Sequence, residues 1–183
     1  MEEKMLSAGR GALFLTALSG VSQLLGFGYR VLLSRMAGAE VMGLYQLIMP
    51  VYSVLLSLTA VGLTAAISNL TSQYLALRNG KAVGQTVRTC LRIFFLALIP
   101  LGTGVILGSD AISVHLLGDA RTQLGLMLLV PCVALTGVEN FHKHVFYGSG
   151  LVRAPAVVEL LEQFVRTLAV LGLLWLFLPQ YPE

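Results

Sequence analysis

The longest uncharged stretch of the sequence runs from Val41 to Leu77. A helix needs about 20 apolar residues to cross the hydrocarbon core of a bilayer, so this stretch is too long for one straight crossing. We interpret it as a spanning helix over about 41–67, broken or bent around Pro50 and Gly62, and a polar helical extension over 68–77. The chain is therefore expected to lie in a membrane.

The composition agrees with a membrane location. Of the 183 residues, 56% are hydrophobic and 11% are charged, and the mean hydropathy is +0.82. A soluble domain carries about 25% charged residues. The net charge of +3 is too small to indicate a nucleic-acid partner. Further apolar stretches predict spanning helices over about 11–34, 87–107, 124–147 and 156–178. The predicted fold class is therefore an all-α integral membrane protein with about five transmembrane helices.

The positions of the basic residues predict the orientation of the chain. The start, Met1–Met5, is acidic and mixed, unlike a cleaved signal peptide, so the first span is expected to be retained. Cytoplasmic ends of membrane helices are enriched in lysine and arginine. With the N-terminus in the cytoplasm, Arg35 and Arg121 lie at outer ends. Eight basic residues then lie at cytoplasmic ends: Lys4, Arg10, Arg78, Lys81, Arg88, Arg92, Lys143 and Arg153.

Arg30 is a charged residue inside the first predicted span. Burying a charge at the centre of a membrane helix costs about 2.5–3.5 kcal/mol on insertion scales. One interpretation is that the Arg30 side chain extends to the lipid headgroups. The other is that Arg30 lines an aqueous cavity, where its planar guanidinium could bind a phosphate through two oxygens. Arg35 is a second cation near the same end of this span.

A group of charged residues lies in the fifth predicted span. Glu162 and Arg166 are four residues apart and share a helix face, and Glu159 lies one turn earlier. They form either an ion pair that fixes this helix to a neighbour or the wall of a charged cavity. Gln163 belongs to the same group, and Glu139, near the end of the fourth span, is a further candidate for the cavity.

Several residues indicate flexibility, and no motif indicates catalysis. Pro50, Pro100 and Pro131 fall inside apolar stretches and, with Gly62, are candidate hinges or kinks.

We find no nucleotide-binding, metalloprotease or nucleophile motif. Cys90 and Cys132 have no metal-binding spacing. We therefore predict a protein that is not an enzyme and that uses no metal or cofactor.

The order of several short motifs resembles the multidrug/oligosaccharidyl-lipid/polysaccharide (MOP) flippase superfamily, in particular polysaccharide biosynthesis proteins of the stage V sporulation protein B type. The resemblance covers nearly the whole chain. It is carried by these segments: Leu25–Phe27 with Arg30 and Arg35, Gly38–Glu40, Gly43–Tyr45 with Pro50, Gly62–Ser68, Leu117–Asp119, Gly148–Leu151 with Pro155, and Glu162–Gln163 with Arg166.

The resemblance implies a function in the bacterial cytoplasmic membrane. Members of this superfamily have two helical lobes around a cavity and are thought to flip undecaprenyl-linked sugars or peptidoglycan precursors. The expected partners are membrane lipids, a lipid-linked glycan substrate, and a second lobe from another chain or from self-association. The five predicted spans correspond to the front part of such a protein.

Two departures and two alternatives accompany the resemblance. Many relatives carry arginine where this chain has Gln23, and lipid II flippases have another near Tyr29, which leaves Arg30, Arg35, Glu162 and Arg166 as candidate headgroup contacts. A drug or cation antiporter of the same superfamily would require a compact acidic site instead. A non-transporting assembly partner in the membrane is the third hypothesis.

Overall fold

The computed structural model describes the backbone of residues 2–177 and the side chains of residues 16–173 and of Leu176. Nearly all of this part of the chain is helical. The basic residues Lys4 and Arg10 and the predicted outer end at Gln180–Glu183 lie outside the described side chains. The helices are α1 (Glu2–Leu56), α2 (Gly62–Ala76), α3 (Gly80–Leu107), the short α4 (Ser109–Ala111), α5 (Thr122–Gly148) and α6 (Arg153–Phe177).

The long first helix is interrupted at one residue and followed by a change in helix type. Gly38 has φ 80° and ψ 169°, the one non-helical conformation inside α1. This backbone region is essentially restricted to glycine. Between α1 and α2, the segment Ser57–Val61 forms a π-helix. Pro50 lies inside α1, and Pro100 and Pro131 lie inside α3 and α5, so none of the three ends a helix. Kinking of the helix axis at these prolines stays a prediction.

The predicted all-α membrane architecture is confirmed. Within the part of the chain that the structure describes, three helical runs can cross a membrane by length and composition: Thr16–Ala76, Gly80–Leu107 and Thr122–Gly148. The first run has 61 residues, which is about 90 Å of helix and enough for two crossings. The 25-residue α6 has the length of a further crossing but carries Glu159, Glu162 and Arg166. Large apolar side chains are exposed along these helices, as expected for surfaces that face lipid.

The chain divides into two compact units, and the second unit contains the buried core. The first unit comprises Met1–Met42 and Val152–Glu183, and the second comprises Gly43–Leu151. In the second unit, α2, α3 and α5 pack against one another. Its core consists of these buried side chains: Leu55, Ala60, Ile67, Cys90, Phe94, Leu98, Leu126, Leu129, Val133 and Phe141.

Glycines allow the helices of this core to approach closely. A Cβ atom at Gly137 would lie 2.2 Å from Cζ of Phe94, and one at Gly148 would lie 2.5 Å from the carbonyl oxygen of Ser68. Small residues at helix contacts are typical of membrane bundles. The ring of Phe94 packs edge-to-face on Phe141, with centroids 5.3 Å apart.

Hydroxyl groups fix the helix ends and one contact between helices. The hydroxyl of Tyr52 donates to Oγ1 of Thr136 at 3.0 Å, joining α1 to α5. Before α5, the buried hydroxyls of Ser113 and Thr122 lie 2.8 Å apart, and both lie within hydrogen-bond distance of the Asp119 carbonyl oxygen. These bonds hold the compact loop between α4 and α5, because they satisfy hydroxyls that are closed off from solvent.

Candidate substrate cavity

The predicted pair in the fifth span forms an ion pair within α6. The guanidinium of Arg166 donates to Oε1 of Glu162. The Arg166 side chain is 52% exposed and the Glu162 side chain 31% exposed. The pair can offset both charges locally, while the exposed guanidinium keeps other N–H groups available for an anion, since arginine has five donors.

Gln163 brings the polar face of α6 against α1. Its amide nitrogen lies 3.4 Å from the position that a Cβ atom would occupy at Gly26. The Gln163 amide therefore lies beside Gly26 of α1. Gln163, Glu159 and Arg166 are three or four residues apart, so they share one face of α6. The first unit thus presents carboxylate, amide and guanidinium groups along a single face.

Arg30 and Arg35 are exposed cations on α1. Arg30 lies four residues after Gly26, on the same face of α1 that meets Gln163. Neither arginine forms an ion pair with any side chain that the structure describes. Arg30 is therefore an uncompensated cation one turn from the α1–α6 contact, and its guanidinium is suited to a phosphate or another anion.

Glu139 belongs to the second unit. Its carboxylate pairs with the ammonium group of Lys143, four residues later on α5. Lys143 is the more buried partner, with 14% of its side chain exposed against 41% for Glu139. The carboxylate is thus already partnered by a cation on its own helix. The i,i+4 spacing of this pair was visible in the sequence but was not recognised.

An apolar cavity of about 490 Å³ also lies in the second unit. Gln46 contributes the polar side chain of its lining, and of the predicted site residues only Pro50 lines it. The apolar lining residues come from α1, α3 and the end of the π-helical segment Ile112–Leu116 that follows α4: Leu47, Pro50, Val51, Val54, Leu55, Val105, Leu116 and Leu117. This cavity is suited to hydrocarbon and is distinct from the predicted polar cavity.

No group of three or more histidine, cysteine, aspartate or glutamate side chains within the described range is placed to hold a metal ion. His142 and His144 are two residues apart on α5, which is about 200° around a helix. The two rings therefore point to different sides of α5.

Comparison with known proteins identifies the family. The sequence profile of the family described as "Polysaccharide biosynthesis protein" matches residues 8–181. The chain belongs to this family. It is 28% identical over 176 residues to "Stage V sporulation protein B" of Bacillus subtilis (strain 168), covering 93% of this chain and 33% of that protein. It is also 28% identical over 196 residues to "Lipid II flippase MurJ" of the same organism, covering 97% of this chain and 34% of that protein.

These matches confirm the resemblance to the MOP flippase superfamily. The chain spans about one third of the length of these two relatives. No solved structure matches the chain.

Proposed function

We propose that this chain is part of the N-terminal lobe of a flippase for lipid-linked oligosaccharides or peptidoglycan precursors. It would act in the bacterial cytoplasmic membrane with its N-terminus in the cytoplasm. A relative that covers nearly the whole chain is named for lipid II flipping. The observation that carries the proposal is the polar face of the first unit, where Gln163 meets Gly26 and Arg30 lies one turn away.

The charge pattern favours an anionic substrate. A lipid-linked sugar carries phosphate between its hydrocarbon tail and its glycan, so its headgroup needs cationic contacts in a wet site. Arg30, Arg35 and Arg166 provide exposed guanidinium groups in the first unit. A cation antiporter would need an acidic site, whereas Glu162 and Glu139 are each paired with a cation on the same helix.

The proposed transport requires a second lobe. Transport by alternating access requires two bodies that rock around a central site. The chain corresponds to about a third of its relatives, so we infer that the other body comes from protein outside these 183 residues, whether further along the same chain, in another chain or in a second copy. Crosslinking in native membranes would distinguish a homodimer from a heteromeric partner.

Transbilayer movement of a labelled lipid-linked oligosaccharide tests the function in the complete protein. We expect Arg30→Ala and Arg166→Ala each to lower the flipping rate about tenfold or more, because a lost charge-assisted contact is worth about 1.5–3 kcal/mol. Arg153→Ala provides a matched control, since Arg153 is exposed at the first residue of α6, more than two turns before Gln163 and Arg166. Unchanged rates in both variants would exclude the cavity assignment.

A further inference from the structure

The helix α3 carries a line of basic side chains that the proposed cavity does not use. Lys81, Arg88 and Arg92 are seven and four residues apart, so they lie on one face of the helix. Gln85 lies on the same face between them. All four side chains are exposed. We call Lys81, Arg88 and Arg92 the α3 basic stripe.

The stripe faces away from the core of its own unit. The buried residues of α3 are Cys90, Phe94 and Leu98. Cys90 follows Arg88, and Phe94 follows Arg92, by two residues, which is about 200° around the helix. The guanidinium groups therefore point to the side opposite the packed bundle, where lipid, water or a ligand must solvate them.

The stripe has no counter-charge nearby in the sequence and no ion pair within the described structure. The sequence contains no aspartate or glutamate between Glu40 and Asp110. None of the three basic side chains forms an ion pair with a described residue. Arg88 and Arg92 are like charges at i and i+4, which destabilises a helix slightly. An anion bound between them would remove this repulsion.

The length of the stripe distinguishes it from ordinary interfacial basic residues. From Lys81 to Arg92 is about 16 Å along the helix axis, whereas one headgroup layer is about 5–7 Å thick. If the hydrocarbon begins near Val87, as the sequence predicts, Arg92 lies about 7 Å inside it. A guanidinium at such depth must either reach the headgroups along its own stem or meet an anion or water inside the membrane.

We propose that the α3 basic stripe binds the phosphate of a polyprenyl carrier lipid and leads it from the headgroup layer into the span. Lys81 would meet the phosphate at the surface, and Arg88 and Arg92 would hold its oxygens deeper in the membrane through forked hydrogen bonds. The choice of carrier lipid rests on the proposed function. The stripe itself belongs to the second unit, whereas Arg30, Arg35 and Arg166 belong to the first.

Binding of undecaprenyl phosphate to the 183-residue chain in phosphatidylcholine nanodiscs tests the proposal. We expect Arg88→Gln and Arg92→Gln each to weaken binding about fivefold to tenfold, as for a partly exposed charge-assisted contact. The double variant should lose most binding, and added NaCl should weaken binding to the wild-type chain. Arg121→Gln, which removes an arginine from the loop before α5, should leave binding unchanged.

Several outcomes would overturn the proposal. Unchanged affinity in the double variant would exclude the stripe as a site, and equal binding of uncharged undecaprenol would show that phosphate is not recognised. Displacement by inorganic phosphate would indicate a site for free anions, and displacement by equimolar phosphatidylglycerol a general attraction to anionic lipid. If the double variant does not fold, the Arg88→Lys/Arg92→Lys variant serves in its place, because it retains both charges. This variant should bind undecaprenyl phosphate measurably, and added salt should abolish that binding. Absence of that binding counts against the proposal.

The transport assay separates this inference from the proposed function. If the stripe binds undecaprenyl phosphate while the complete protein moves no lipid-linked sugar, the transport proposal fails and the binding site stands. If transport proceeds normally in the double variant and carrier binding is unaltered, the stripe assignment fails and the flippase proposal stands.

Discussion

Gly137 shows how a single absent side chain sets the packing of the second unit. A Cβ atom there would lie 2.2, 2.6 and 2.9 Å from three ring carbons of Phe94, which is fully buried. We expect Gly137→Ala to destabilise the fold by about 1–3 kcal/mol, because overpacking forces a core side chain or the backbone to move. Thermal unfolding in detergent, followed by the reaction of buried Cys90 with a thiol dye in a Cys132→Ser background, measures this change.

Two variants show whether the clash with Phe94 is the cause. Gly104→Ala is the matched control, because a Cβ atom at this α3 glycine meets nothing within 4 Å; its stability should be equal to or slightly above that of the wild type. Adding Phe94→Leu to Gly137→Ala should recover part of the loss by removing ring atoms. If Gly137→Ala unfolds at the wild-type temperature, the close α3–α5 contact is wrong.

The Tyr52 hydroxyl provides a second residue-level test. Its 3.0 Å hydrogen bond to Thr136 joins α1 to α5, between two residues that are 84 positions apart in the sequence. Side-chain hydrogen bonds between membrane helices average about 0.6 kcal/mol, with a maximum of about 1.7. Tyr52→Phe and Thr136→Val should each lower stability by an amount in this range, and the double variant should lose little more than either alone. Additive losses in this double-mutant cycle would mean that the two hydroxyls do not interact.

At the level of elements, Gly38 sets the break in α1. Its φ of 80° and ψ of 169° belong to a backbone region that residues with a Cβ atom essentially do not occupy. No atom lies within 4 Å of a Cβ built there, so a substitution acts through the backbone alone. We expect Gly38→Ala to cost about 1–3 kcal/mol, whereas Gly43→Ala, also in open space but in helical conformation, should have a stability equal to or slightly above that of the wild type. Equal melting temperatures for the two variants would argue for an uninterrupted helix.

The elements also show how far the sequence determines the structure. The uncharged stretch after Val41 and the i,i+4 spacing of Glu162 and Arg166 were sufficient to predict the membrane helices and one ion pair, because both depend on local spacing. The close approach of Gln163 to Gly26 and the π-helix at Ser57–Val61 were not predicted, since they depend on which helices pack together. The division into two units follows from such long-range contacts as well.

The line of cations on α3 illustrates the same limit. Lys81, Arg88 and Arg92 were recognised in the sequence as basic ends of spans, which was enough to predict an orientation. Only the burial of Cys90 and Phe94 on the opposite side shows that these cations share an exposed face.

For the whole molecule, the orientation in the membrane decides which groups a substrate meets first. The excess of basic residues at one set of helix ends predicts a cytoplasmic N-terminus. The α2–α3 connection would then lie in the cytoplasm, and the loop around Asp110 and the end at Gln180 would lie outside. Single cysteines at these positions in a Cys90→Ser/Cys132→Ser background test the prediction with a membrane-impermeant maleimide. Lys81 and Asp110 are exposed in the structure, and Gln180 lies beyond its described residues.

In intact cells without an outer barrier, we expect Asp110→Cys and Gln180→Cys to react and Lys81→Cys to be protected until the membrane is permeabilised. In inverted vesicles, Lys81→Cys should react and the other two cysteines should be protected. This exchange is the control, because a cysteine that is buried in the protein would be protected in both preparations. This pattern requires an odd number of crossings between Lys81 and each of the other two positions. Reaction of Gln180→Cys on the same side as Lys81→Cys would remove one crossing, place α6 outside the set of spanning helices, and withdraw Arg166 from any cavity through the membrane.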